Sequence, residues 1–226
     1  MSKLLVSVSF GLSVMCATGC VIGREHVYSN RTLQVQPAAP ASHWVAIAVH
    51  DRREEVVTGD KGPDFVGLSR GGWGNPFDIT TASDAPLADD MAASVAQSMQ
   101  RAGYKVQVVQ VAPSDEPARA ADKLRQAGAQ RVLMLRLDKW KSDTYVSTAL
   151  HYDVDLLVLD ANGNALAHAQ QRGDDNLGGS FWNPGGHADD AVTEAFQRKF
   201  ELLLNDHNVV QALHQPAAAD SGIPQS

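Results

Sequence analysis

The sequence predicts an α/β fold in which helices cover a mixed β-sheet, with the elements in the order β-α-β-α-β-β-β-α. Three observations predict this class. Apolar residues recur with the period of strands in some segments and of helices in others, and these segments alternate along residues 43–213. Glycine, proline and asparagine separate the segments, as is typical of turns. The composition, 44% hydrophobic and 20% charged, is ordinary for one globular domain.

The first half of the domain predicts strand, helix and strand. Residues 44–49 alternate between two faces and form the first strand. A glycine-rich stretch over residues 59–82 is expected to be a long loop. The helix that follows is capped by Ser83 or Asp84, has Pro86 near its first position and stops at Gly103. Its buried stripe consists of Leu87, Met91, Val95 and Met99. Residues 104–111 form the next strand.

The second half adds a helix, three strands and a closing helix. Residues 114–128 are alanine-rich and helical. Residues 131–140 contain a continuous apolar run, which indicates a central strand buried on both faces. Residues 150–159 and 165–171 form a hairpin around an Asn-Gly turn at 162–163. The last helix buries a stripe of Val192, Phe196, Phe200 and Leu203.

The N-terminus has the pattern of a bacterial export signal. Lys3 precedes an apolar run over residues 4–14, which is too short to span a bilayer. Small residues at 17–19 then precede Cys20, and Ala-Thr-Gly-Cys resembles the lipobox of bacterial lipoproteins. The pattern predicts a signal peptide over 1–19 and a lipidated Cys20. The alternatives are an ordinary export signal or a buried N-terminal helix.

The ends of the mature chain are expected to lie outside the domain. Residues 20–42 have few clustered apolar residues and two prolines near their end, which predicts an extended tether. Residues 214–226 are rich in small residues and proline, which predicts a disordered tail. The single folded domain is therefore expected to cover 43–213 and to face the periplasm.

Charge and motif spacing exclude several functions. A net charge of −7 argues against binding to nucleic acid or to anionic lipid, so membrane attachment would depend on acyl chains. The eight histidines have no metal-ligand spacing, and Ser180 is not in a nucleophile elbow. We therefore expect no catalytic residues, metal or cofactor. A remote alternative is a metal-dependent envelope hydrolase that uses His50 and His151 with Asp153 and Asp155.

Two sets of charged residues have open interpretations. Arg52 and Arg53, after the first strand, could bind an anionic ligand or pair with Glu54 or other nearby acids, and pairing is favoured. Asp153, Asp155 and Asp160 alternate on a strand, which favours a solvent-facing row opposite apolar residues that pack inward.

Two aromatic, glycine-rich loops are the main candidate binding feature. Residues 71–77 and 178–184 share a composition, and each follows a strand and leads towards a helix. If the strands before them run parallel, the loops meet at one end and form a recognition patch. The candidate residues are Trp73, Phe77, Phe181 and Trp182. The alternative is that these side chains fold back and cover the core.

Short signatures along the domain resemble the YajG-like family of bacterial lipoproteins. They lie at 51–52, 101–106, 152–155, 162–164 and 188–192. That family is associated with the outer membrane, and its fold is similar to the N-terminal domain of TolB and to activators of peptidoglycan synthases. The glycine-rich insertion at 59–82 departs from its pattern.

The resemblance implies binding rather than catalysis. Val21, which follows Cys20, is not the Asp that favours retention in the inner membrane, so the outer membrane is implied. The expected function is a lipid-anchored outer-membrane protein whose partner is an envelope protein or polymer. The alternative is an accessory subunit of an envelope transport, export or peptidoglycan-synthesis complex.

Overall fold

A computed structural model describes residues 25–39, 44–71, 73–180 and 182–216 as a mixed α/β structure with eight strands and five helices. The strands are β1 (Glu25–His26), β2 (Trp44–Asp51), β3 (Phe65–Arg70), β4 (Pro76–Thr81), β5 (Lys105–Val108), β6 (Arg131–Thr144), β7 (Thr148–Asp160) and β8 (Ala165–Asn176). The helices are α1 (Glu54–Val57), α2 (Leu87–Arg101), α3 (Pro117–Gln126), α4 (Pro184–Leu204) and α5 (His207–His214).

The long strand β6 organises the sheet. One edge of β6 pairs in parallel first with β2 and then, past a bulge after Leu137, with β3. Its other edge pairs with β7, which in turn pairs with β8. Val132 to Leu135 are buried, so the prediction of a central strand is confirmed. The predicted β7–β8 hairpin is also confirmed, with Gly163 at φ 88° in its turn.

Two hydrophobic clusters hold helices on opposite faces of the sheet. The larger contains the predicted stripes of α2 and α4, and all eight of those side chains are fully buried. The smaller packs Ala120 and Leu124 of α3 against Ala46 and Ala48 of β2. Because successive residues of a strand point to opposite faces, β2 contributes to both clusters.

The order of elements differs from the prediction around the glycine-rich segment. Residues 59–82 are not one loop, since they contain the antiparallel pair β3 and β4. Gly67 lies against Ser142 of β6, where a Cβ would come within 2.0 Å of the Ser142 Oγ. Glycine inside a strand can mark such a close backbone approach, so here it belongs to the sheet rather than to a loop.

The N-terminal segment also differs from the predicted tether. Within 20–42, residues 25–39 pack on the domain, and Tyr28 and Leu33 are buried in the main cluster. Ser94 and Ser98 of α2 accept hydrogen bonds from the backbone amides of Arg31 and Leu33, at 3.0 and 2.9 Å. Side chains on a distant helix therefore satisfy the polar backbone of a segment that has little hydrophobic periodicity of its own.

Helix α5 lies at the end of the domain predicted from the sequence. Its N-cap Asp206 accepts hydrogen bonds from the amides of Asn208 and Val209. Val209, Ala212 and Leu213 are buried. Residues 217–226 of the predicted tail, like the signal peptide and Cys20, lie outside the described residues.

Candidate functional site

Strand direction brings the two aromatic loops to one end of the sheet. β3 runs parallel to β6, and β8 is antiparallel to β7, which is itself antiparallel to β6. β3, β6 and β8 therefore run in the same direction, and the chain leaves all three at the same end. The first loop is the turn between β3 and β4, so it leads into a strand and not, as predicted, towards a helix.

A third turn, between β6 and β7, lies between the two predicted loops in the strand order and contacts the second of them. The amide of Thr148 donates to the carbonyl of Gly178 at 2.7 Å, and the amide of Leu177 donates to the carbonyl of Thr148 at 2.8 Å. Gly179 lies so close to the Val146 carbonyl that a Cβ would come within 2.2 Å of it. A small cavity lined by Ser69 and Asp189 separates β3 from the start of α4. We call this end of the sheet, with its three turns, the aromatic end.

The aromatic end exposes large apolar side chains. Trp73 is 96% exposed and Trp182 is 91% exposed. Val146, on the third turn, is 76% exposed, and Phe77 lies against Gly71 with about two fifths of its surface exposed. The two indoles therefore do not cover the core. Phe181 lies outside the described residues.

An acidic groove lies beside the aromatic end. It has a volume of about 730 Å³ and runs between the last residues of β8 and the first turns of α4. Its charged lining comprises Asp174, Asp175, Asp190, Glu194 and Arg198. Lys199 partly compensates it by pairing with Asp175 at 2.7 Å. The groove therefore favours cationic groups over anionic ones.

Beneath the aromatic end, three side chains form a chain of hydrogen bonds that the sequence did not reveal. His26 Nδ1 lies 2.9 Å from Asp189 Oδ1, and His26 Nε2 lies 3.0 Å from Ser142 Oγ. The order is that of a Ser-His-Asp triad. However, His26 and Ser142 are completely buried, and the backbone of Gly67 lies against the Ser142 hydroxyl. In this conformation no substrate carbonyl can reach Ser142, and the network ties β1 to β6 and α4.

The acidic row on β7 is solvated only in part: Asp153 and Asp160 are partly exposed as predicted, whereas Asp155 is not. Asp155 is buried and accepts hydrogen bonds from Arg136 at 2.7 Å and from His168 at 2.7 Å. Carboxylate oxygens of Asp138, Asp153 and Asp155 lie within 4.8 Å of one another. Side chains of the neighbouring strands pair with these acids: Arg136, His168 and Arg172. Arg136 and Arg172 therefore compensate part of the negative charge of this cluster.

The histidines of the remote hydrolase alternative are not brought together. His50 is buried on β2, whereas His151 lies on β7 and pairs with Asp174. β6 lies between these two strands. Burial, and next the nearby Arg52, lower the pKa of His50. The structure thus gives no support to a site shared by these residues.

Of the two arginines, Arg53 pairs with a nearby acid as predicted, whereas Arg52 is held by backbone carbonyls. The Arg52 guanidinium donates to the carbonyls of Pro113 at 3.0 Å and Asp115 at 3.3 Å. The neighbouring Arg53 is fully buried and pairs with Asp51 at 2.7 Å. Arg52 therefore fastens the segment after β5 to the end of β2.

The structure thus defines a mixed α/β domain with an exposed aromatic end, and comparisons with known proteins bear on its fold. Protein XCC0632 of Xanthomonas campestris has a TM-score of 0.44 and 14% identity, covering 79% of this chain and 94% of that one. Lipoprotein GNA1162 of Neisseria meningitidis has a TM-score of 0.39 and 15% identity, covering 72% of this chain and 99% of that one. The LpoB C-terminal domain of Salmonella enterica has a TM-score of 0.29 and 13% identity, covering 62% of this chain and 87% of that one.

These likenesses concern the fold alone and assign no activity. No family model matches the chain, and no curated protein sequence matches it significantly. Among the described residues, no helix combines the length and the apolar character needed to cross a membrane.

Proposed function

We propose that this chain is a non-enzymatic envelope lipoprotein of the outer membrane, anchored through Cys20, whose α/β domain binds a partner through its aromatic end. The lipobox pattern before Cys20 and the Val at position 21 support the anchor and its membrane. The short signatures described above support membership of the YajG-like lipoproteins and a fold related to the TolB N-terminal domain.

The observation that carries the binding proposal is the exposure of Trp73 and Trp182 on turns at the same end of the sheet. Large aromatic side chains are usually mostly buried, and exposed apolar patches often mark interaction sites. Tryptophan is also the residue type most enriched among energetic hot spots of interfaces. Val146 adds a further exposed apolar side chain on the turn that lies between the two loops in the strand order.

The acidic groove beside this surface indicates the chemistry of the partner. Glu194 pairs with Arg198, and Asp175 pairs with Lys199. The four carboxylates of the groove outnumber these two cations, so the groove would repel an anionic polymer and attract lysine or arginine side chains. Among envelope proteins and polymers, the surface therefore favours a polypeptide that offers apolar and basic residues together.

Photocrosslinking in intact cells tests the proposal. A photoreactive amino acid at position 73 or 182 should crosslink one envelope protein, identified by mass spectrometry, whereas the same group at Trp44 should not. Trp44 is the matched control, because it is half exposed but lies at the amino end of β2, away from the aromatic end.

Binding of the purified partner then measures the contribution of the two indoles. Replacing both Trp73 and Trp182 with alanine should weaken binding about thirtyfold or more, because each such hot spot contributes on the order of 2 kcal/mol. Trp44→Ala should leave the affinity unchanged. Unchanged affinity of the double variant would contradict the proposal.

The anchor is tested separately. The N-terminal peptide of the protein from membranes should carry a diacylglyceryl group on Cys20, and Cys20→Ser should release the protein into the soluble fraction. An unmodified N-terminus would reject the lipoprotein assignment without affecting the binding surface.

A further inference from the structure

A second cleft lies where two neighbouring parallel strands send the chain to opposite faces of the sheet. β2 and β5 pair in parallel. The chain continues from β2 towards α2, which packs in the larger cluster, and from β5 to α3, which packs in the smaller one. At such a switch point the connecting loops diverge beyond the carboxyl ends of the strands. In open α/β sheets, this crevice is where ligands bind.

The cleft has the size and the apolar walls of a small-molecule site. Its volume is about 400 Å³, within the range typical of ligand pockets. Segments from both sides of the switch point form it: α1, the start of α2, the residues after β5, and α3. The apolar lining comprises Val56, Pro63, Pro86, Val111, Ala112 and Pro113.

The charges in the cleft leave one carboxylate without a cation. Asp51 is held by Arg53, and Lys123 is held by Asp115. Asp89, on the first turn of α2, forms no ion pair with any described residue and accepts a hydrogen bond from the side chain of Gln110. Burial raises the pKa of Asp89, so a cation that pairs with it would stabilise its charged form.

From this geometry we propose that the cleft binds an amphiphilic cation, in which an ammonium or guanidinium group pairs with Asp89 and an apolar chain lies along the proline-rich wall. An anionic ligand would meet Asp89 directly, and the lysine that could receive it is already paired. The ligand could be a free organic amine or a lysine or arginine side chain of a peptide. This site is separate from the aromatic end and does not depend on it.

Titration of the purified full chain, followed by two-dimensional amide NMR, tests the site. Hexylammonium, 1-hexanol and hexanoate serve as probes, because they share one chain and differ in charge. Hexylammonium should shift the amide signals of Asp89, Gln110 and Val111 saturably, with an affinity about tenfold above that of hexanol. Hexanoate should bind more weakly than hexanol. Equal binding of hexylammonium and hexanol to the unaltered protein would overturn the proposal.

Matched variants assign the preference to one carboxylate. Asp89→Asn, which keeps the side-chain volume, should abolish the tenfold preference for hexylammonium over hexanol. Asp122→Asn removes a half-exposed carboxylate from α3 and should retain it. A preference that survives Asp89→Asn, or that is lost in Asp122→Asn, would also overturn the assignment.

One further probe distinguishes the two sources of the cation. An acetylated and amidated Leu-Lys dipeptide that binds more tightly than hexylammonium would identify a peptide side chain as the natural ligand. The reverse order would identify a free amine. Neither result depends on Trp73 or Trp182, so failure here and failure of the proposed function are separable.

Discussion

Replacement of Tyr28 tests whether the N-terminal segment belongs to the folded domain. Tyr28 is fully buried, and its ring lies edge-on to Trp140 and Phe196, with centroids 6.3 and 5.5 Å away. Its hydroxyl accepts a hydrogen bond from Trp140 Nε1 at 2.9 Å. Truncating a buried aromatic side chain to alanine typically costs 3–5 kcal/mol, so we expect Tyr28→Ala to lower the free energy of unfolding by about that amount.

A smaller change isolates the hydrogen bond within this contact. Tyr28→Phe keeps the ring and leaves the buried Trp140 N–H without its acceptor, which should cost about 1–3 kcal/mol. Tyr145→Phe is the matched control, because Tyr145 is half exposed on the third turn. It should change stability by less than about 0.5 kcal/mol.

Urea-induced unfolding of the full chain, followed by tryptophan fluorescence, measures these differences. Trp140 is the buried tryptophan of the chain's four, so its environment dominates the change on unfolding. If Tyr28→Ala unfolds within about 0.5 kcal/mol of the unaltered protein, residues 25–39 are not part of the cooperative unit. The predicted tether would then be the better description of that segment.

Three further predictions concern single positions. Because the folded-state pKa of His50 lies below its unfolded value, its stabilising contribution is present above about pH 6.5 and is lost as the pH falls. His50→Gln should therefore lose less stability than the unaltered protein between pH 7 and pH 5 in urea titrations. Gly67→Ala should cost about 1–3 kcal/mol, since the new Cβ would collide with Ser142, and an unchanged urea midpoint would contradict the close contact. Gly163→Ala should lower the free energy of unfolding by about 1–2 kcal/mol, because φ is 88° at this position. Gly185→Ala is the matched control: its Cβ would meet open space in α4, so thermal unfolding should show neutral or increased stability.

The elements predictable from the sequence are those with local signals. The stripes of α2 and α4, the apolar run of β6 and the Asn-Gly turn of the β7–β8 hairpin each lie within one short segment. β3 was not predictable in this way, because its place in the sheet depends on pairing with β6, where Gly67 lies opposite Ser142, about 75 residues away along the chain. The packing of residues 25–39 depends on serines of α2 that look unremarkable in sequence.

The candidate sites also combine features that are visible in the sequence with features that depend on contacts between distant segments. The resemblance between the two aromatic loops is visible in the sequence. The position of the third turn, around Val146, between these loops follows only from the pairing of the strands. The carboxylate of Asp89 is one acid among many in the sequence. It stands out only when ion pairs account for Asp51 and Lys123, which lie on other elements.

Arg53 links the architecture of the sheet to the charge of the cleft. Along the edge of β6, pairing with β2 ends at Leu137 and pairing with β3 begins at Ser142. In the gap, the Arg53 guanidinium donates to the carbonyls of Phe65 and Trp140, so backbone groups that no strand can satisfy are not left unpaired.

A buried guanidinium needs a counter-charge, and Asp51 supplies it through two hydrogen bonds to Arg53 of 2.9 and 2.7 Å. The carboxylate of Asp51 lines the cleft, but it is committed to this pair. Arg53, which fills the gap where β6 changes its strand partner, therefore neutralises the charge of Asp51 in the cleft. The carboxylate of Asp89 then sets the charge that a ligand meets.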